Sequence, residues 1–190
     1  MQITGGVTIQ GGVNLVPAGS GPSASLQGSN FGYTTGGAPS GGNLIDKFSF
    51  SSNGNATDVA DLASANQNHG SHSSSTSGYT AGGEPNKSDI TKFTFVTDSD
   101  SSSVANLNGA RFECGSCSSF DNGYVWGGRS PIKDSIEKFA FASDGNGSDV
   151  GDLLRTRMWM AGGQNSTTHG YVSGGTQDPP YLAEIEKFPF

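Results

Sequence analysis

Two cysteines and two histidines in this chain have the spacing of metal ligands. Cys114 and Cys117 flank a Gly-Ser dipeptide, and so do His69 and His72. Both pairs lie nine and six residues before a Gly-Tyr pair, so they hold equivalent positions in two successive segments. Two thiolates and two imidazoles suit tetrahedral zinc. The alternatives are structural residues, with small buried thiols and solvated imidazoles, or a CxxC redox pair. The structural interpretation is our default, and it requires no cofactor.

Acidic and amide side chains cluster at residues 53–58, 98–100 and 144–149. Oxygen ligands at alternate positions are typical of calcium loops. These segments lack a closing glutamate that would bind the ion through both oxygens, and Asp-Gly-Asn is a turn sequence in its own right. We therefore predict turns here.

Four lysines and two tryptophans suggest binding of anions or sugars. The lysines recur at one position of a repeat: Lys47, Lys92, Lys138 and Lys187. A ring of ammonium groups would bind an anion, but each lysine is expected to lay its stem along a strand and keep its head in water or beside a carboxylate. Trp126 and Trp159 have the ring area to stack on sugars, and packing is their default role.

Catalytic constellations are absent from the sequence. The three histidines (His69, His72 and His169) have no Ser/His/Asp spacing around them. The glycine pairs match neither a phosphate loop nor a dinucleotide fingerprint. We expect no enzymatic activity.

The residues that must position any site belong to a repeat of about 46 residues. KFSF, KFTF, KFAF and KFPF end at Phe50, Phe95, Phe141 and Phe190. A Gly-Tyr pair precedes each, followed two residues later by a diglycine, and an isoleucine lies three residues before the first phenylalanine. Variants of DGNGSDVGDL follow three of the four copies. A disordered chain has no reason to keep large aromatic residues in phase.

Each repeat reads as four short strands, which predicts an all-β fold. The first is a weak segment before the Gly-Tyr pair, such as Arg157 to Ala161. The second contains the Gly-Tyr pair, the third the KFxF motif, and the fourth a Val-x-x-Leu such as Val150 to Leu153. On the third strand Phe139 and Phe141 share a face and Ile136 lies on the other. Such a sheet must be covered on both faces, as in a propeller blade.

A tyrosine before a diglycine, an amphipathic strand, a turn and a closing strand resemble the kelch repeat of β-propellers over residues 29–190. Kelch repeats usually have a tryptophan in the fourth strand, where this chain has Leu62, Leu107 and Leu153. The resemblance implies a kelch-like β-propeller of about four repeats. They span residues 19–62, 63–107, 108–153 and 154–190, after an N-terminal β arm at 1–18. The whole chain, with its ITGGVTIQGG start, also resembles small virion structural proteins of tailed phages, particularly those of marine cyanobacteria.

The last repeat ends after its third strand at Phe190. An unpaired strand edge invites pairing. The strand-like segment from Gly6 to Val16 is expected to supply the missing strand, either within its own chain or to another subunit or virion protein.

Composition and charge exclude several partners. Of 190 residues, 30 are glycine, and the hydrophobic fraction is only 32 %. The formal net charge of −7 disfavours sequence-independent nucleic-acid binding and anionic membranes. No apolar run is long enough to span a bilayer. The start shows no secretory signal, so we expect synthesis in a cytoplasm. The resemblance to phage virion proteins implies that this is the host cytoplasm and that the chain has a place in the virion.

Three functional hypotheses follow. The first is a non-enzymatic virion protein (a decoration, head-fibre or tail component) that docks on other virion proteins or on copies of itself. The second is a carbohydrate- or receptor-binding module that recognises a host surface glycan. The third is a kelch-like intracellular adaptor or enzyme, which would need a set of binding residues on one face that the sequence does not show.

Overall fold

The computed structural model describes residues 30–37, 42–177 and 179–190. Over these residues the chain contains no helix, and its strands form four antiparallel sheets of three or four strands each. The all-β prediction is thus confirmed. Within the same residues nothing has the length and apolarity of a membrane-crossing helix. The described part of the chain does not form a closed propeller.

The first two sheets lie in residues 31–61 and 70–106. Sheet 1 contains β1 (Phe31–Thr35), β2 (Leu44–Ser49) and β3 (Thr57–Asp61), in that order. Sheet 2 contains β4 (Gly70–Ser73), β5 (Ser77–Ala81), β6 (Asp89–Thr94) and β7 (Ser102–Asn106), also in chain order.

The other two sheets lie in residues 115–152 and 164–189. Sheet 3 contains β8 (Gly115–Ser118), β9 (Asn122–Trp126), β10 (Ser135–Ala140) and β11 (Ser148–Asp152). Sheet 4 contains β12 (Gln164–Asn165), β13 (His169–Ser173) and β14 (Ile185–Pro189). Each sheet falls within one predicted repeat. Residues 1–18, the predicted arm, lie outside the described residues, and the repeat boundaries stay a prediction.

One predicted strand is wrong. Arg157 to Ala161 does not form the first strand of the last repeat, because β12 begins only at Gln164. In this segment Met158 makes an isolated bridge to Thr176. The side chain of Arg157 is fully buried and hydrogen-bonds the carbonyl oxygen of Gly174 at 3.1 Å. The segment is therefore a linker fixed to the loop between β13 and β14.

The glycine of each Gly-Tyr pair makes room for an aromatic ring on the neighbouring strand. At Gly78 an added Cβ would overlap the ring of Phe93, which lies directly across the pair of strands. Gly32, Gly123 and Gly170 stand in the same relation to Phe48, Phe139 and Phe188. The glycine of the pair and the first phenylalanine of KFxF are thus a matched set.

The diglycine that follows turns the chain sharply at the end of the second strand. Gly82 and Gly83 have φ values of 70° and 114°, which side chains rarely tolerate. Gly82 donates to the carbonyl oxygen of Asp89 and Gly83 to that of Arg111, at 3.0 and 2.8 Å. The diglycine thereby ties the loop to the linker that enters the next repeat.

In the described part of the chain the core is divided among three clusters, each between two successive sheets. Each contains tyrosine, isoleucine and leucine from one repeat and the two KFxF phenylalanines of the next. In sheet 3, Phe139 and Phe141 join the cluster with sheet 2, and Ile136 joins the cluster with sheet 4. The prediction that the third strand is apolar on both faces is confirmed.

Candidate functional site

The contact between successive repeats has a fixed geometry. The tyrosine of one repeat stacks on the second KFxF phenylalanine of the next and meets the first at a steeper angle. The stacked pairs are Tyr33–Phe95, Tyr79–Phe141 and Tyr124–Phe190, with centroids 5.0, 4.9 and 4.8 Å apart and planes within 25°. This shared geometry, which we call the docking contact, is the recurrent binding element of the molecule.

The repeat lysine adds a charged interaction to the docking contact. Lys47 Nζ lies 2.7 Å from Asp98 Oδ2, and Lys92 Nζ lies 2.9 Å from Asp144 Oδ2. Each hydrogen bond raises the pKa of its lysine. The expectation of a lysine head beside a carboxylate is confirmed for these two. The carboxylate comes from the loop of the next repeat, three residues beyond its second phenylalanine.

The acidic loops also accept hydrogen bonds from the outer strand of the preceding sheet. Asp100 Oδ1 accepts a hydrogen bond from the backbone NH of Asp61 at 3.0 Å, and Asn146 Oδ1 accepts one from that of Asn106 at the same distance. These oxygens, considered above as calcium ligands, are engaged by the preceding repeat. They serve as connectors between repeats.

Two buried arginine–glutamate pairs hold the linkers, and the sequence interpretation missed them. Arg111 pairs with Glu137, and their side chains are 1 % and 3 % exposed. Arg157 pairs with Glu186, and both belong to the last repeat. The sequence does contain a pattern that indicates these pairs. The two arginines stand 46 residues apart, and each glutamate directly precedes a repeat lysine. A buried ion pair that loses one partner typically costs about 3–5 kcal/mol.

The HGSH and CGSC segments lie side by side, as their equivalent positions predicted. Ser71 and Ser73 donate from their backbone NH groups to Ser116 Oγ and Ser118 Oγ, both at 3.1 Å. His72 Nδ1 is 3.0 Å from the carbonyl oxygen of Cys117. The strands β4 and β8 thus contact each other through serine hydroxyls and one imidazole.

Both histidines are neutral packing residues. Burial lowers the pKa of His69 to about 4 and that of His72 to about 4. The ring of His72 meets Phe139 edge-on at 4.9 Å, and its Nε2 is buried without a hydrogen-bond partner. His69 Nε2 is 2.9 Å from Thr35 Oγ1. Each imidazole therefore connects its sheet to a neighbouring one.

The two cysteines belong to different clusters. Cys117 is buried between sheets 3 and 4, and Cys114 packs against the cluster between sheets 2 and 3. Burial raises the pKa of Cys114 to about 11 and that of Cys117 to about 12, so both are thiols at neutral pH. The described residues contain no group of three or more potential metal ligands. Zinc binding by Cys114, Cys117, His69 and His72 stays a prediction, which elemental analysis of the purified chain tests.

The docking contact is incomplete at both ends of the described chain. On sheet 1, Phe50 is 61 % exposed, whereas its equivalent Phe141 is 8 % exposed. On sheet 4, Ile185 is 76 % exposed, whereas Ile45, Ile90 and Ile136 are at most 4 % exposed. We call the surface of Phe48, Phe50 and Asn53 the first face. We call that of Tyr171, Ile185 and Lys187 the last face.

The two tryptophans have different environments. Trp126 is fully buried, which confirms the packing role. Trp159 is 53 % exposed, has a φ of 51° and lies 5.8 Å from the guanidinium of Arg129. A bulky residue with positive φ is uncommon and often marks a functional position.

A cavity of about 640 Å³ adjoins β1 and is lined in part by Tyr33, His72, Tyr79 and Asn165. In sheets 2 and 3 an inner strand pairs with the strand that contains the Gly-Tyr pair. Within residues 30–37 and 42–61, sheet 1 has no such strand. We assign the cavity no ligand, because the residues that precede β1 lie outside the described residues.

No protein-family model matches the chain, and the search of curated proteins found no match.

We predict that stability falls with acid because of the buried histidines. An unfolded imidazole has a pKa of about 6.5, so between about pH 6.5 and 4 the unfolded chain binds protons that the folded chain excludes. The free energy of unfolding should therefore decrease as pH falls through this window. Urea unfolding of the His72→Gln variant should show a smaller decrease.

The matched control is His169→Gln, on a partly exposed histidine at the start of β13. At neutral pH it should unfold at the same urea concentration as the original chain. If the free energy of unfolding of the His72→Gln variant fell with pH as steeply as that of the original chain, the burial of a neutral His72 would be contradicted.

Proposed function

We propose that this chain is a non-enzymatic structural protein of a phage virion, a decoration, head-fibre or tail component that acts by protein–protein docking. Its four sheets would be kelch-like β-propeller blades, with residues 1–18 as the arm that supplies the strand missing from sheet 4, either in the same chain or in another subunit. The observation that carries the docking role is the pair of incomplete contacts on the first and last faces.

The exposed apolar residues of these faces support docking over catalysis. Phe50 and Ile185 occupy positions whose equivalents are buried or partly buried against a neighbouring sheet. Ion pairs in the described residues connect parts of the fold. Lys92 pairs with Asp144 of the next repeat, and Arg111 pairs with Glu137 of its own repeat. A surface that repeats a known internal contact is suited to binding protein.

The placement in a phage virion is supported by the resemblance of the sequence alone. The proposed partners are other virion proteins and copies of the chain.

Mass spectrometry of purified particles tests this role. In a lysate of cells infected with the phage that encodes the chain, peptides of residues 30–190 should co-purify with phage particles through a density gradient. They should stay with the particles after a high-salt wash. Peptides found only in the soluble fraction would contradict the virion role.

Binding of a host surface glycan is the second candidate, and the exposed Trp159 favours it. A tryptophan ring 53 % exposed, beside the guanidinium of Arg129, presents an apolar plane and a hydrogen-bond donor, which suit a sugar. A glycan array should then show binding that Trp159→Ala reduces at least tenfold. Phe120→Ala, on a phenylalanine 66 % exposed, is the control and should retain it. Absence of binding to polysaccharides of the host surface would exclude this candidate.

A further inference from the structure

The internal contacts define what a complementary partner looks like. Across each of the three clusters, tyrosine, isoleucine and leucine of one repeat meet the two KFxF phenylalanines of the next. The last face presents Tyr171 and Ile185 in these roles. The first face presents Phe48 and Phe50, whose rings lie 5.7 Å apart at 86°. Internal phenylalanine pairs have the same arrangement, such as Phe139 and Phe141 at 5.7 Å and 80°.

The polar groups of the two faces match in the same way. Lys187 is exposed on the last face, at the position from which Lys47 and Lys92 reach an aspartate. Asn53 stands three residues after Phe50, as Asp98 and Asp144 stand after Phe95 and Phe141. An amide oxygen there accepts a hydrogen bond from the ammonium group without a full charge.

The leucine of this contact has a counterpart in the sequence ahead of the first repeat. Leu62 and Leu107 each precede the tyrosine of the next repeat by 17 residues, and Val16 precedes Tyr33 by the same number. Val59 and Val104 stand three residues before those leucines, as Val13 stands before Val16. Residues 13–16 therefore have the phase of a fourth strand that leads into repeat 1.

The edge that such a strand would join is open. In sheet 4, β14 pairs with β13 on one side, and within the described residues no strand pairs on the other. In the other sheets the isoleucine of the third strand lies opposite the residue after the valine: Ile45 with Ala60, Ile90 with Ala105 and Ile136 with Gly151. The same register places Ile185 opposite Asn14.

We propose that the last face of one chain binds the first face of a second copy, whose residues 13–16 complete sheet 4 as its fourth strand. A second copy is the partner because Phe50 and Ile185 are exposed among the described residues of one chain, and the two faces present complementary halves of the internal contact. The contact is heterologous, so successive copies add head to tail and form a ring or a filament. It holds for the chain itself and does not depend on the virion role.

The first experiment measures association. Light scattering of the original chain from 1 to 100 µM should show a mass above that of a monomer that rises with concentration. Phe50→Lys places a charge on a side chain that is already exposed in one chain, so the variant should keep its fold. Its assemblies should be weaker, so that the concentration below which they dissociate to monomers is at least tenfold higher than for the original chain. Phe120→Lys is the matched control, on an exposed phenylalanine between β8 and β9 that belongs to neither face, and should assemble like the original chain.

The second experiment identifies the strand and its source. Two single variants, Asn14→Cys and Ile185→Cys, are mixed and oxidised. Directly opposite residues of antiparallel strands have Cα atoms about 4.5–5.5 Å apart, within disulfide range. A disulfide-linked dimer containing one of each variant is expected. Residue 10 is out of register with Ile185, so a mixture of Gln10→Cys and Ile185→Cys should give little disulfide-linked dimer.

Three results would overturn the proposal. A chain that stays monomeric at 100 µM has no such interface. Equal association of the Phe50→Lys and Phe120→Lys variants would mean that the chain assembles through another surface. A double Asn14→Cys/Ile185→Cys variant that cross-links only within one chain, while the mixed single variants do not, would show that the arm closes its own ring.

Discussion

The tyrosine held against two phenylalanines of the next repeat is the contact on which the rest of the structure depends. Tyr79, for example, stacks on Phe141 at 4.9 Å and is tilted against Phe139 at 5.9 Å. A repeat of this size cannot bury its apolar faces alone, so it depends on packing against its neighbours. Sheets 2 and 3 each contribute to two clusters, and sheets 1 and 4 to one each.

Other features of the repeat serve this contact. Gly78 leaves room for the ring of Phe93, which then faces Tyr33 of the preceding repeat. Lys92 joins the loop of the next repeat through Asp144, and its ammonium lies 5.6 Å from the ring of Tyr79. Pairs of side chains from different repeats thus determine which sheet packs against which. A repeat without a neighbour exposes half of such a pair, as Phe50 and Ile185 do.

Much of this was predictable from the sequence because the repeat keeps its apolar residues in phase. The strand that contains KFAF and the opposite orientations of Ile136 and Phe139 follow from alternation, and both are observed. The segment from Arg157 to Ala161 misled because its apolar residues resemble a strand, whereas the buried Arg157 fixes it as a linker. Trp159 is exposed and has a positive φ, and the arginine–glutamate pairs join residues 26 and 29 positions apart. Local patterns do not reveal such features.

A double-mutant cycle between Tyr79 and Phe141 measures the contact between repeats most directly. Tyr79→Ala, Phe141→Ala and the double variant are compared by urea unfolding, with Tyr79 and the exposed Phe120 as the control pair. If the aromatic contact couples the repeats, the two effects should deviate from additivity by at least about 0.5 kcal/mol, while the control pair is additive. Effects of Tyr79 and Phe141 that add to within about 0.3 kcal/mol would contradict the account.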